Sequence, residues 1–476
     1  MSAAAPTQAP GPTATPLLPA GWRLRRAPGV RTPGDGTVLL GGAPLHVLKL
    51  SPAGADLVAR WWAGEPVGEG PAARRLARRL LDAGLAHPDP SPGPPPQQLT
   101  VVVPAHDRPG ELCRCLAAID RRCPIVVVDD GSRDGSAIAA VASAAGATCV
   151  RLTPARGPSA ARNAGLRAVQ TEYVAFVDSD CVVPSGFPGR LLDHLADPAL
   201  AVVAPRIVAL GDPGHGLVAR YEVHHSALDM GPREGLVQAG SAIPYAPSAA
   251  LVARTEAVVD GFDETLFMGE DVDLLWRVRR AGWQIRYDPS ISVAHDHRVR
   301  PGPWFVRRIA YNESNAPLLR RHPGNVPALS ISRSSAAFWT ALACRSPIGA
   351  AVASAISAVV LGRTLRRHVP APGRVAARLV LQGHLHEGRH LGRTLTGPWL
   401  PFLLATSIVS PRVGRRLWLG VAAGAIAEWA AERHEPSPVH YALPKAADDL
   451  ARCLGVWRGC WRERTVRPLL PQLRRH

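Results

Sequence analysis

Between Leu99 and His295 the chain alternates short, nearly unbroken apolar runs with segments of helical period. The runs read LTVVVPA, PIVVVDDG, ATCVRL, YVAFVDSD, AVVAPRIVAL and QIRYDPSISVAH, and ELCRCLAAID and PSAARNAGLRAVQ lie between them. Val/Ile runs without polar alternation belong to strands covered on both faces, and the intervening helices supply the cover. The pattern therefore predicts an α/β fold with a mostly parallel sheet. Ligands of such sheets bind beyond the carboxyl ends of the strands. The polar residues gather there: Asp129 and Asp130 close one run, Asp178 and Asp180 another.

The flanks have different textures. From Gly21 to His87, short strand-like runs (VLL, HVL) precede two amphipathic helices, one opening at Ser51 as N-cap and one with Pro71 in its first turn. Strands followed by two helices at this size suggest a winged-helix module. HPDPSPGPPPQQ reads as a Pro-rich linker. Beyond about residue 325 come three apolar runs: SPIGAAVASAISAVVLG, TLTGPWLPFLLATSIVSP and LWLGVAAGAIA. A spanning helix needs about 20 apolar residues. The first run is short and rich in small residues, the second holds internal prolines and the third is shorter still. The expected organisation is a disordered tail (1–20), the small module (21–88), the linker (89–98), the α/β domain (99–325) and a helical region (326–476).

Charge refines the last of these. The 476-residue chain carries a formal +17, and from Ile331 onward it holds 21 Lys/Arg against 7 Asp/Glu. The basic residues flank apolar stretches and lack interleaved aromatics. They suit an anionic membrane surface, expected at the cytoplasmic face of the cell membrane, and no nucleic-acid partner is expected. Flanking Arg and terminal Trp residues favour membrane contact, with a buried helical subdomain as the alternative. Eight cysteines without a CxxC pair read as buried thiols in a reducing cytosol, not a zinc site. The polar, Pro-rich start has no basic n-region of a secretory signal.

The chemistry rests on a few short segments. A DSD triplet in a random loop is a turn or a cap; at the end of YVAFV it offers two hard oxygen ligands, suited to bridging Mg²⁺ or Mn²⁺ to substrate phosphates. In VVVDDGSRDGS, a strand-end carboxylate could accept the N3–H of uracil, or the segment is a plain βα loop capped by Asp134 or Ser136. Arg162 and Asn163, in the first turns of a helix, could meet base or phosphates or serve a surface helix. Glu270 and Asp271 open another helix, where carboxylates complement the dipole; the sharper reading makes Asp271 a general base toward an acceptor hydroxyl. His295, ending a strand in VAHDHR, could complete a metal shell or be structural.

In order, PAHDRP, VVVDDGS, AARNAG, FVDSD, GED and VAHDHR resemble glycosyltransferase family 2 over residues 99–310. The resemblance implies an inverting enzyme with an A-type nucleotide-diphospho-sugar transferase fold. It implies that Asp130 meets the uracil, Asp178 the ribose side, Asp180 the divalent metal and His295 the metal or diphosphate. Pro104, Asp107, Asp129, Arg162 and Asn163 would line the nucleotide-sugar pocket, and Asp271 would act as base beside Glu270. Asp107 stands where Asn is common, and the QxxRW motif of processive synthases is absent. The module from Gly29 onward looks like a PqqD-type peptide-recognition domain, with a generic winged helix as the alternative. That combination is similar to the family 2 transferases of mycofactocin biosynthesis. It implies UDP-glucose as donor, premycofactocin or its precursor peptide as partner, and a β-1,4-linked oligoglucoside as product. The alternatives are a cell-envelope transferase acting on a lipid-linked sugar and a non-catalytic binding scaffold.

Overall fold

The computed structural model describes residues 11–474 apart from 13–14, 35, 43, 212–213, 215, 298, 367–368, 370 and 433–437. Two compact units are defined by their internal contacts: Met1–Pro213 with Glu222–His297, and Gly214–Tyr221 with Arg298–His476.

The first unit opens with strands β1 (Arg23–Arg26), β2 (Val38–Gly41) and β3 (His46–Lys49), helices α1 (Pro52–Trp62) and α2 (Pro71–Asp82), and strand β4 (Ala86–Asp89). β2 and β3 form an antiparallel hairpin, and β1 pairs antiparallel with β4. Ser51 caps α1 through its side chain, which accepts from the Gly54 N–H at 3.1 Å. Trp22, Leu39, Val58, Trp61, Leu80 and Leu81 form the core of this module. Of the expected tail, residues 1–10 and 13–14 lie outside the described residues. Its last part is packed: Leu18 is fully buried in the same core, and the carbonyls of Pro16 and Leu18 accept from Arg78 and Arg74. One apolar side chain with a hydrophobic slot to fill overrides the disorder-like composition around it.

The α/β part follows with β5 (Leu99–Ala105), α3 (Pro109–Ala118), β6 (Ile125–Asp130), α4 (Gly135–Ala144), β7 (Thr148–Leu152), α5 (Pro158–Ala168), β8 (Tyr173–Val177) and β9 (Cys181–Val182). Then come α6 (Gly189–His194), β10 (Leu200–Ala209), α7 (Leu217–His225), of which the part up to Tyr221 belongs to the second unit, β11 (Gly235–Leu236), β12 (Ala250–Arg254), α8 (Glu270–Arg280) and β13 (Gln284–His295). The sheet runs β11-β13-β10-β12-β8-β5-β6-β7, with β9 added on β13. Pairing is parallel through β8, β5, β6 and β7 and again between β10 and β13, while β12 runs antiparallel between β8 and β10. This is the mixed, mostly parallel sheet of the A-type transferase fold. Successive residues alternate between two buried faces: Val101, Val103 and Val127 pack under α3, α4 and α6, while Val102, Val126 and Val128 pack under α5 and α8. Covering both faces produces the unbroken apolar runs. β12 is flanked only by a short 3-10 turn at Thr255–Val258 and is not apparent in the sequence pattern.

The second unit is helical. α9 (Pro301–Glu313) and α10 (Asn315–Arg321) precede strand β14 (Leu329–Ser332), α11 (Arg333–Ala343), α12 (Pro347–Leu365) and α13 (Pro372–Thr396). α14 (Leu400–Val409), α15 (Pro411–Glu432), α16 (Pro438–Arg462) and β15 (Pro471–Arg474), parallel to β14, complete it. The unit begins at Arg298, ahead of the change in composition near residue 326, because α9 and α10 pack on α16. One helix among the described residues, Pro347–Leu365, is long and apolar enough to cross a membrane, and little of it is covered. Ile348, Ile356, Ile408, Val409, Leu419 and Ile426 are each more than half exposed, an unusual density of bare apolar side chains.

Candidate active site

The ends of β6, β8 and β13 and the start of α8 bring the motif residues to one edge of the sheet. At the end of β6 the two aspartates divide their work. Asp130 is buried, and its oxygens accept from the backbone N–H groups of Arg156 (2.7 Å) and Gly157 (2.8 Å). Gly157 sits at φ 92, a left-handed conformation that suits glycine and turns its N–H toward Asp130 at the head of α5. Asp129 is almost fully buried and points elsewhere: it accepts from the Ser132 N–H at 2.9 Å and pairs with Arg151 at 2.5 Å. The sequence groups Asp129 with the nucleotide contacts; in the structure its carboxylate holds the βα turn.

Asp107 lies at φ 54 in the neighbouring loop, and its carboxylate accepts from the Arg133 N–H at 2.7 Å. Its own N–H donates to Ser132 Oγ at 2.9 Å. Pro104 is half-buried near the end of β5, paired with Val128. The first motif is therefore stitched to the VVVDDGS turn. Asn163 is likewise engaged within the protein. Its amide donates to Phe262 O (2.8 Å) and Glu264 (3.0 Å) and accepts from the Phe262 N–H (2.7 Å). A Cβ at Gly261 would lie 2.3 Å from the Asn163 carbonyl, so this clamp depends on a glycine. The sequence offers the Asn163 side chain to a nucleotide; the fold assigns it to the loop leading toward α8.

Arg162, one residue earlier, is the central tie. Its side chain is 4% exposed, with Nη2 donating to Asp178 Oδ1 at 2.6 Å and Nη1 to Glu270 Oε1 at 3.0 Å. Burial would weaken its charge, but Asp178 and Glu270 hold the guanidinium protonated above its ordinary value. The loop between β11 and β12 adds a second tie. The Ser248 N–H donates to Asp271 Oδ2 at 3.1 Å, and the Ala249 carbonyl accepts from the Asp178 N–H at 2.9 Å. Consecutive residues thus hold the DSD loop on one side and the helix-start carboxylate on the other. Neither tie is visible in the motif spacing. Asp271 also accepts from the Val272 N–H at 2.8 Å. Burial and the charge of Glu270 raise its carboxyl to about 7, the range a general base needs near neutral pH.

Asp180 faces His295, with Oδ1 and Nε2 3.4 Å apart, and Arg108 lies 3.6 Å from its other oxygen. Burial pushes the Asp180 carboxyl up, His295 holds it down in part, and Asp178 adds to the rise. Asp180, Cys181 and His295 bring ligand atoms within 4.8 Å of one another. The Cys181 thiol, which donates to Ala249 O at 3.4 Å, is pushed far up by burial and is the least available of the three. His295 Nδ1 is buried without a hydrogen-bond partner. A carboxylate and an imidazole at this separation fit a shared divalent ion, with remaining positions open to phosphate or water.

A buried arginine clamping two carboxylates, a poised carboxyl and a carboxylate–imidazole pair thus gather at one edge of the sheet of an A-type transferase fold. The family model for glycosyl transferase family 2 matches residues 100–254. The chain belongs to this family. Over 96% of its length it is 38% identical to the pre-mycofactocin glycosyltransferase of Mycobacterium tuberculosis (strain CDC 1551 / Oshkosh), of which it covers 99%. It is 28% identical to the succinoglycan biosynthesis protein ExoU of Rhizobium meliloti (strain 1021), over 42% of this chain and 62% of that one. Among solved structures, the mannosyltransferase PcManGT of Pyrobaculum calidifontis, in complex with GDP-Man and Mn2+, matches with TM-score 0.36 and 20% identity over 71% of this chain and 89% of that one. At that score the likeness carries no inference about ligands.

Proposed function

We propose that this glycosyltransferase moves glucose from UDP-glucose to premycofactocin with inversion, building a β-1,4-linked oligoglucoside. The observation that carries the reading is the Ser248–Ala249 pair, which ties Asp271 at the start of α8 and Asp178 after β8 to one loop. Asp180 and His295 would hold Mg²⁺ or Mn²⁺, which when bound neutralises charge on the departing diphosphate. Asp178 sits on the ribose side, and Asp130 shapes the uracil pocket through the loop it holds. Asp271 takes the proton of the acceptor hydroxyl as that oxygen bonds to the anomeric carbon and the bond to UDP breaks. One displacement with one base inverts the anomeric centre. Near-full-length similarity to a pre-mycofactocin glycosyltransferase supports the acceptor, and the module at residues 21–88 is the PqqD-like part that would recognise the peptide-derived portion. The second unit would rest on an anionic membrane surface through its bare apolar helices and arginines.

The test is direct: full chain, UDP-glucose, Mn²⁺ or Mg²⁺ and premycofactocin, followed by mass spectrometry. Hexose additions absent in Asp271→Asn support the proposal. Absence of hexose transfer to premycofactocin overturns the acceptor assignment. The exposed apolar side chains of α12, α14 and α15 favour one second reading, transfer to a lipid-linked sugar, and a polyprenyl-phosphate-sugar acceptor in parallel distinguishes it. Loss of nucleotide binding and of all transfer would leave the scaffold reading.

A further inference from the structure

The second unit holds a cavity of about 200 Å³ that none of the chemistry above uses. Arg393 and His390 of α13, Arg452 of α16 and Asn315 at the start of α10 supply its polar wall, and Pro398 and Val456 belong to its apolar wall. Among the described residues that line it, none is acidic. Two arginines from different helices converging with an imidazole and an amide make a donor set matched to a tetrahedral oxyanion. The apolar wall adds room for an organic substituent.

The surroundings strengthen this. His390 and His386 bring their Nε2 atoms to 3.2 Å. Burial first, then His386, Arg393 and Arg474, push His390 down to about 4, with Glu387 opposing, so the imidazole is neutral near pH 7 and serves as a hydrogen-bonding group. The carboxylates nearby are engaged. Glu428 pairs with Arg393, Glu387 binds Ser332 and Arg474, and Asp448 and Asp449 stand 3.9 and 4.0 Å from Arg452. At those distances Arg452 is loosely neutralised, and a phosphate in the cavity would be a closer partner.

We infer that this cavity of the helical unit is a binding site for a phosphate monoester or diester, held by Arg393, Arg452, His390 and Asn315. The phosphate belongs either to an anionic lipid headgroup or to a free phosphate ester. The site is independent of the transferase reading, since it shares no residue with the strand-end cluster.

Calorimetry on the full chain in EDTA tests it, with inorganic phosphate, glycerol 3-phosphate, dihexanoyl phosphatidylglycerol and dihexanoyl phosphatidylcholine as probes. Wild type is expected to bind at least one of the first three. Arg452→Gln should weaken that binding about tenfold or more, and His390→Gln by less, while Asp180→Asn leaves it unchanged. Binding of phosphatidylglycerol alone assigns a lipid headgroup; equal binding of glycerol 3-phosphate assigns a free ester. No binding by wild type, or equal binding by wild type and both cavity variants, overturns the inference. Circular dichroism of each variant separates lost binding from lost folding.

Discussion

Replacing Arg162 by Gln tests the tie between the DSD loop and the helix-start carboxylates. The guanidinium is 4% exposed and bonded to Asp178 and Glu270 at 2.6 and 3.0 Å. Removing one partner of a buried ion pair costs about 3–5 kcal/mol. Asp178 is 26% exposed and recovers hydration, whereas Glu270 is 11% exposed and does not. The loss should therefore fall near the lower end, about 3 kcal/mol. A second effect follows from charge. Arg162 helps hold the Asp271 carboxyl down, and Glu270, stripped of its partner, pushes it up. The rising limb of the pH profile of kcat/KM should therefore lie at higher pH than in wild type. Arg162→Lys is the companion variant: it keeps the charge but cannot bridge both carboxylates in one plane, so it should retain most of the limb position and lose part of the stability. Urea unfolding followed by site-proximal fluorescence gives the first quantity, and initial rates from pH 5 to 9 give the second. An unmoved limb together with a stability loss below about 0.5 kcal/mol in the Gln variant would refute the argument.

Asp271→Asn should reduce kcat by about 10² to 10⁴ while leaving UDP affinity in the presence of Mn²⁺ within a few-fold; turnover within tenfold of wild type would remove Asp271 from the base role. The same variant carries a stability signature. The unfolded carboxyl ionises near 3.8 and the folded one near 7, so ionisation destabilises the fold progressively over that interval. Asn escapes this, and at pH 8 the variant should be more stable than wild type by about 1–2 kcal/mol, with the advantage vanishing below pH 4. Asp180→Asn should weaken Mn²⁺ binding by tenfold or more, measured by the loss of free-ion paramagnetic resonance signal on titration. Arg78→Met leaves the Asp197 carboxylate buried without its partner and should cost about 3 kcal/mol. Arg78→Met with Asp197→Leu should recover much of that, and equal stability of the single and double variants would show that the pair does not matter.

Much of this architecture is written in local pattern. The run Leu99–Ala105 coincides with a strand buried on both faces, and Gln284–His295 with one whose first half is buried and whose second half is partly open. β12 is not legible in the same way, because its residues follow a long loop and lead only into a short 3-10 turn, and its antiparallel direction depends on tertiary pairing with β8 and β10. Roles within the site are less legible still. Asp129 and Asp130 are adjacent and chemically identical, yet one anchors a turn and the other the head of α5. Which carboxylate points which way is set by the pleat of β6. The same limit applies to Arg162 and Asn163: consecutive on one helix, they face different partners because about 100° separates their side chains around the axis.

The N-terminal module is tied to β13. Gln284 and Arg286 open that strand, and His295 closes it. Gln284 donates to Asp82 of α2 at 2.8 Å and accepts from Arg78 at 3.4 Å. Arg286, 2% exposed, bonds Glu234, which Arg25 of β1 also reaches at 2.7 Å, with His87 3.9 Å away. Buried charges make a weak adhesive, since desolvation offsets their attraction, but a mismatched partner leaves an unpaired ion and is strongly disfavoured. The seam therefore selects one register of module against sheet more than it adds stability. The strand fixed by that register at its start ends in the imidazole that faces Asp180. A change at Gln284 or Arg286 would therefore reach the strand that carries His295 at its other end.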